Sequence, residues 1–308
     1  MDAIVVEGLT KTFTDAKKVI KAVDSVSFSV RTGEIFGLLG ANGAGKTTII
    51  SILMGLLSRD TGNVRVLDMN IDHDMRKIKQ RMSIISGFTM VSVLLSAEEY
   101  LRYYSMLYSA DAKRIYELAG LLKIEDKLHV PVKDLSSGYK QRLLLAKALI
   151  CKPDVILMDE PTVGLDVSIA VHIRKLIKEL KKKGTTILFT SHNLSEVEEL
   201  CDRVALLNQW IIQTGTIDEI KSRFKDERVI EVIASDIAKM KSAIEKLDHV
   251  KAVKAEGGKL LVHALQSSHV NRLIKEIAGL GGIISIRKLD PSLEHAVLNM
   301  MGESDASH

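Results

Sequence analysis

The clearest chemistry in the chain lies in Gly40-Ala41-Asn42-Gly43-Ala44-Gly45-Lys46-Thr47-Thr48. Its spacing from Gly40 to Thr47 fits the phosphate-cradling pattern G-x-x-x-x-G-K-[ST]. The glycines let successive backbone N–H groups turn inward as an anion nest, and a following helix adds its positive N-terminal end. Lys46 supplies a mobile cation for terminal phosphates, and the Thr47 hydroxyl is suited to Mg²⁺. The implied ligand is a nucleoside triphosphate.

Three further positions carry reactive groups. Asp159-Glu160 follows the apolar run Val155-Ile156-Leu157-Met158. Taken alone, two carboxylates there are more simply a helix N-terminal cap. Set beside a P-loop, Asp159 reads as a holder of Mg²⁺ and Glu160 as the group that polarises an attacking water. His192 closes the segment Thr186–Thr190 plus Ser191. It either donates to a γ-phosphate or takes part in a Ser191-His192-Asn193 capping turn. Phe13, in the polar stretch Lys11–Thr14, either stacks on a base or packs on a sheet.

These groups need a scaffold. The run Glu34–Leu39 before the P-loop reads as a strand, and Ile49–Met54 after it as a helix. Residues 4–10 and 26–30 alternate as strands with a Thr32-Gly33 turn; further strands are expected at 63–67 and Met82–Ser86, with a polar helix at 72–81 between them. From Ala97 to about Leu128 the period is helical, and Tyr100, Tyr104 and Tyr108 form a stripe read as core. Asp134–Gly138 reads as a turn before a helix from Lys140 to Ile150. The run 155–158 suits a strand buried on both faces, ending where open α/β sheets bind ligands. A helix at 168–183, a strand at 186–190, a helix from Leu194 to Cys201 and a hairpin turned at Asn208-Gln209 complete this part.

Composition narrows the class. The 308 residues are 27% charged and 46% hydrophobic, as in soluble globular chains, and the length suggests two domains. A net charge of +4 with no dense basic block argues against nucleic acid as a partner; Lys181-Lys182-Lys183 suits the C-terminal turn of a helix. Cys151 and Cys201 are isolated, which points to a reducing compartment and no cysteine metal site. Met1-Asp2-Ala3 lacks a basic flank and apolar core, so no secretory leader is expected, and no run reaches bilayer length; Met82–Ala97 comes nearest and is interrupted by serines and a glycine.

Together these residues resemble one family, the ATP-binding subunits of ABC transporters, over about residues 4–220. Gly40–Thr48 resembles the Walker A loop, and Leu135-Ser136-Ser137-Gly138-Tyr139 with Lys140-Gln141-Arg142 resembles the signature motif. Val155–Asp159 is similar to Walker B, with Glu160 at the catalytic glutamate, and Pro161–Asp166 is similar to the D-loop. His192 falls at the switch histidine and Phe13 at the adenine-stacking aromatic. The resemblance implies that Lys46 and the Gly43–Thr48 amides hold the phosphates of ATP, while Thr47 and Asp159 set Mg²⁺. Glu160 becomes the general base and His192 the γ-phosphate contact. Ser136 and Gly138 act in trans on ATP held by a second ATP-binding subunit, most simply another copy. A separate transmembrane permease subunit is the implied partner, placing the chain on the inner face of the cell membrane. The rival readings are a soluble ATPase of the same type and a weakly hydrolysing regulatory module.

Two departures carry expectations. Ser137 replaces a glycine of the signature. After Ile85, where the family places a glutamine that ligates Mg²⁺, Ser86-Gly87-Phe88 stands instead, so slow turnover is expected. The uncharged residues Phe88, Met90, Val91, Val93, Leu94 and Leu95 are expected to dock a partner's cytoplasmic helix.

The expected fold is α/β: a P-loop NTPase core with an antiparallel β subdomain and a helical subdomain at about 88–150, all within residues 1–224. Residues 225–302 follow the order βαββαβ, implying a small ferredoxin-like α+β domain. This segment resembles the C-terminal extension of drug- and polysaccharide-exporter ATPases of the ABC-2 type, implying dimerisation or regulation. A last helix is expected from Asp290-Pro291, and 303–308 as a disordered tail.

Overall fold

A computed structural model describes residues 1–15, 18–86, 94–223 and 229–288, together with Leu293 and Val297. The chain divides into two compact units, Met1–Ile217 and Asp218–His308.

The first unit opens with a long hairpin of β1 (Asp2–Asp15) and β2 (Lys18–Arg31). The central strand β3 (Ile35–Leu39) then leads into α1 (Lys46–Leu53). β4 (Thr61–Val66) and β5 (Met69–Asn70) close a four-stranded antiparallel sheet of order β2-β1-β4-β5. α2 (Met75–Arg81) and β6 (Met82–Ser86) follow. α3 (Ala97–Leu107), α4 (Lys113–Leu122) and α5 (Ser137–Leu149) form the helical part. The chain returns through β7 (Val155–Asp159), α6 (Val167–Lys182), β8 (Thr186–Thr190), α7 (Leu194–Leu200), β9 (Arg203–Asn208) and β10 (Trp210–Thr216).

The second sheet has the order β10-β9-β3-β8-β7-β6, parallel except for the edge strand β10. Every residue of β3, β7 and β8 is buried, which suits parallel strands covered on both faces. Because β3, β8 and β7 lie side by side, their C-terminal ends open onto one place. α6 shows how the sequence sets a local element: Asp166 caps its start by accepting from the Ile169 amide at 3.1 Å. Ile173, Leu176 and Ile177 then form its buried stripe.

Sequence and structure differ in a few bounds. Lys11–Thr14, expected between strands, belongs to β1, where Thr12 pairs with Lys21 and Phe13 with Ile20. A ribbon exposed on both faces carries no period-2 signal, so pairing alone defines it. The helical stretch 97–128 is two α-helices and a short 3₁₀ turn at Glu125–Lys127; the α-helices part where Ser109 adopts a left-handed φ of 52° and Asp111 turns the chain into α4. α5 begins at Ser137 rather than Lys140: the Ser136 hydroxyl caps the Tyr139 amide and draws Gly138 into the first turn. The tyrosine stripe grades from buried Tyr100 to half-buried Tyr104 and Tyr108. α2 starts at Met75, behind the Asp74 N-cap.

The second unit contains α8 (Ile217–Arg223, whose first residue belongs to the first unit), β11 (Val229–Ala234), α9 (Ile237–Ile244), β12 (Val250–Glu256), β13 (Lys259–Ala264), α10 (Val270–Ala278) and β14 (Ile283–Lys288). Its antiparallel sheet runs β12-β13-β11-β14, the ferredoxin-like order. Ile230, Val232, Leu260 and Val262 pack on Met240 and Ile244 of α9 and on Leu273 and Ile277 of α10. Of the expected helix after Pro291, Leu293 and Val297 are described, both helical and buried; the rest of it and the 303–308 tail lie outside the described residues.

Candidate functional site

The ends of β3, β7 and β8 border an open cleft of about 580 Å³, lined by Asn42, Gly43, Gly45, Lys46, Thr47, Thr48, Asp159 and Glu160. Ala22, Gln141 and Val163 complete its wall.

The P-loop is shaped by close packing. A Cβ at Gly40 would collide with the Leu207 carbonyl oxygen and sit 2.8 Å from Ala44 Cβ. Gly45 has a φ of 102°, and a Cβ there would lie 2.5 Å from the Ala22 carbonyl oxygen. Only glycine fits both constraints at Gly45. From the far side, the Gln209 amide donates to the Ala44 carbonyl at 3.0 Å, and the Gln209 carbonyl accepts from the Asp24 amide at 2.7 Å. The turn between β9 and β10 therefore fastens the loop to β2. Lys46 Nζ donates to the carbonyls of Gly40 at 2.7 Å and Ala41 at 2.9 Å. Burial lowers its pKa, an effect opposed by the carboxylates of Glu160 and Asp159.

Asp159 ends β7 with its carboxylate almost buried, and Oδ1 accepts from Thr190 Oγ1 at 2.6 Å. Glu160 takes a left-handed φ of 50°, which turns the chain sharply off the strand. Its amide is held by the Thr190 carbonyl at 3.1 Å. His192 Nδ1 lies 3.1 Å from Glu160 Oε2, so the two groups form a pair at the cleft. Asp159-Glu160 caps no helix; that role falls to Asp166. The turn after β8 serves two ends, since Asn193 caps α7 while His192 faces Glu160.

The other expected residues lie apart from the cleft lining. Phe13 is 40% exposed on β1, with Lys11 Nζ 5.7 Å from its ring. Ser136 and Gly138 sit at the start of α5 against the 161–165 turn, where a Cβ on Gly138 would touch Leu165. Leu94 is 84% exposed. Gly87, Phe88, Met90, Val91 and Val93 lie outside the described residues. Sequence reasoning missed Thr190 and gave Gln141 no place in the cleft. Gln141 Nε2 donates to the Pro161 carbonyl at 2.8 Å, a contact between segments far apart in the chain.

Residues 23–163 match the family model described as ABC transporter. The linearmycin resistance ATP-binding protein LnrL of Bacillus subtilis is 33% identical, with 97% of this chain and 98% of the relative covered. A Nod factor export ATP-binding protein I of Bradyrhizobium diazoefficiens is 34% identical, covering 97% and 96%. A solved ATP-binding subunit of an ABC transporter superposes with a TM-score of 0.66 at 27% identity, over 72% of this chain and 93% of that one. With likeness running along nearly its full length, this chain belongs to the ATP-binding proteins of ABC transporters and is an ATPase.

Proposed function

We propose that the chain hydrolyses ATP to drive export through a separate membrane-spanning subunit, by closure of two ATP-binding subunits over nucleotide. The observation that carries this reading is the convergence of Lys46, Asp159, Glu160 and His192 at three adjacent strand ends. Ser136 and Gly138 stand outside the same cleft. A second copy that brings them onto the nucleotide makes chemistry depend on closure, and ATP then favours the closed pair. Export rests on the relatives' names, linearmycin resistance and Nod factor export. Among the described residues no helix is long and apolar enough to cross a membrane.

Within the cleft, Lys46 and the P-loop amides hold the phosphates, while the adenine reaches beyond the lining to stack on Phe13. Glu160 accepts a proton from the attacking water, and His192 donates to the γ-phosphate while Glu160 orients its ring. The donor set fits Mg²⁺: Thr47 and Asp159 offer hard oxygen ligands, and such ions bind through one or two carboxylates plus substrate phosphates. Mg²⁺ there would neutralise charge developing on the phosphates. The second unit, whose described residues gather no group of His, Cys, Asp and Glu able to hold a metal, serves dimerisation or regulation.

The test is ATPase activity and gel filtration of the purified chain beside Glu160→Gln. Hydrolysis should fall at least about 100-fold in the variant while ATP binding persists and the eluting species doubles in mass. Unchanged hydrolysis in Glu160→Gln, or monomeric elution at saturating ATP, would overturn the reading. Purification from native membranes should recover a multi-spanning chain.

A further inference from the structure

Behind the Glu160–His192 pair lies a second carboxylate. Glu196, in the first turn of α7, is 4% exposed. Its Oε2 accepts from Thr162 Oγ1 at 2.7 Å and from Ser191 Oγ at 3.2 Å. Its Oε1 accepts from Arg174 Nη1 at 3.1 Å. Thr162 follows Glu160 by two residues, and Ser191 directly precedes His192. One buried oxygen therefore ties together the two segments that carry the pair.

The surroundings make this tie stiff. Arg174 also reaches Glu199 Oε2 at 2.8 Å, and Glu199 pairs with Lys178 at 2.8 Å. Ser191 Oγ accepts from the Asn193 amide at 3.0 Å, so it is held from both sides. Glu160 stands in a left-handed conformation of the kind that persists only when its surroundings over-determine it.

We infer that Glu196 is a positioning residue for hydrolysis, setting the turn after Glu160 and the segment before His192 from behind. It touches no nucleotide. The inference rests on Glu160 and His192 acting on ATP as proposed above. Without the tie, the pair drifts and closure no longer assembles it, while the P-loop continues to bind.

The experiment compares steady-state ATPase kinetics and ATP affinity in Thr162→Val, Glu196→Gln and Glu196→Ala, with Glu160→Gln alongside. Rates are taken per nucleotide-binding site, so a misfolded fraction does not count. Glu196→Ala should lower kcat about 10- to 100-fold, with KM and ATP affinity within about twofold. Glu196→Gln, which keeps an accepting oxygen, should recover most of that loss. Thr162→Val leaves the Arg174 pair in place and serves if Glu196→Ala fails to fold; it should lower kcat about threefold or more. A folded Thr162→Val or Glu196→Ala with native kcat would overturn the inference. So would losses confined to KM, or a Glu196→Gln no better than Glu196→Ala. If Glu160→Gln itself turns over normally, the assignment of the pair fails instead.

Discussion

The Thr190 hydroxyl donates to Asp159 Oδ1 across 2.6 Å, joining the last residues of two neighbouring strands. The same oxygen lies 3.2 Å from the Glu160 amide. Thr190→Val keeps the shape and removes both contacts. It should cost about 1–3 kcal/mol in urea unfolding, because a buried carboxylate oxygen loses its donor. The Mg²⁺ concentration for half-maximal ATPase should rise as Asp159 loses its orientation. A variant with native Mg²⁺ dependence would separate the hydroxyl from the metal.

Lys147 on α5 is buried with its ammonium 5.2 Å from the Tyr104 ring centroid, and no carboxylate pairs with it among the described residues. Burial lowers its pKa, opposed by Cys151. The unfolded chain therefore binds more protons than the folded one between the lowered folded pKa and 10.5, and stability from this group rises with pH across that window. Lys147→Met should stabilise the protein by about 1 kcal/mol near neutral pH, with ATP affinity unchanged. The gain should shrink as pH approaches 10.5. A destabilised variant would mean that the contact with Tyr104 outweighs the burial of charge.

The P-loop glycines should not be equivalent. Alanine at Gly40 meets fixed backbone at Leu207, whereas alanine at Gly43 meets open space and only the strain of a φ of 84°. Gly43→Ala should cost about 1–2 kcal/mol. Gly40→Ala should cost more and lower the melting temperature further, since a packed backbone cannot shift to accept it. Thermal melts of the two variants check the order.

Both cysteines should resist alkylation in the folded protein. Burial pushes the Cys151 and Cys201 thiols up, so little thiolate forms near neutral pH. Cys201 also packs where a Cβ on Gly37 would fall 3.0 Å from its sulfur. Intact mass after iodoacetamide at neutral pH should show little labelling, and full labelling after unfolding in urea. Rapid modification of the native protein would place a thiol at the surface.

Much of this was legible in the chain because the chemistry here is local. Gly40–Thr48 is recognisable from its own residues and spacing, although Ala22, Leu207 and Gln209 fix its shape, and the apolar runs at 155–158 and 186–190 announce buried parallel strands. What the sequence did not show depends on contacts across it. Nothing near Glu196 signals that Thr162 and Ser191 will meet on its carboxylate. Gln141 reaches the cleft through Pro161. Lys11–Thr14 became a strand through its partner, and Ser136 drew the start of α5 past a glycine that usually marks a turn.

The staple at Gln209 bears on how the protein is made. β3 gains its neighbours only when Thr186–Thr190 and Arg203–Asn208 exist, and the P-loop is fastened only once Gln209 has been added. A nascent chain therefore carries its phosphate-binding motif long before that motif has a fixed shape. Nucleotide cannot help the chain fold until roughly two-thirds of it has left the ribosome, and chains cut short before that point gain no protection from ATP.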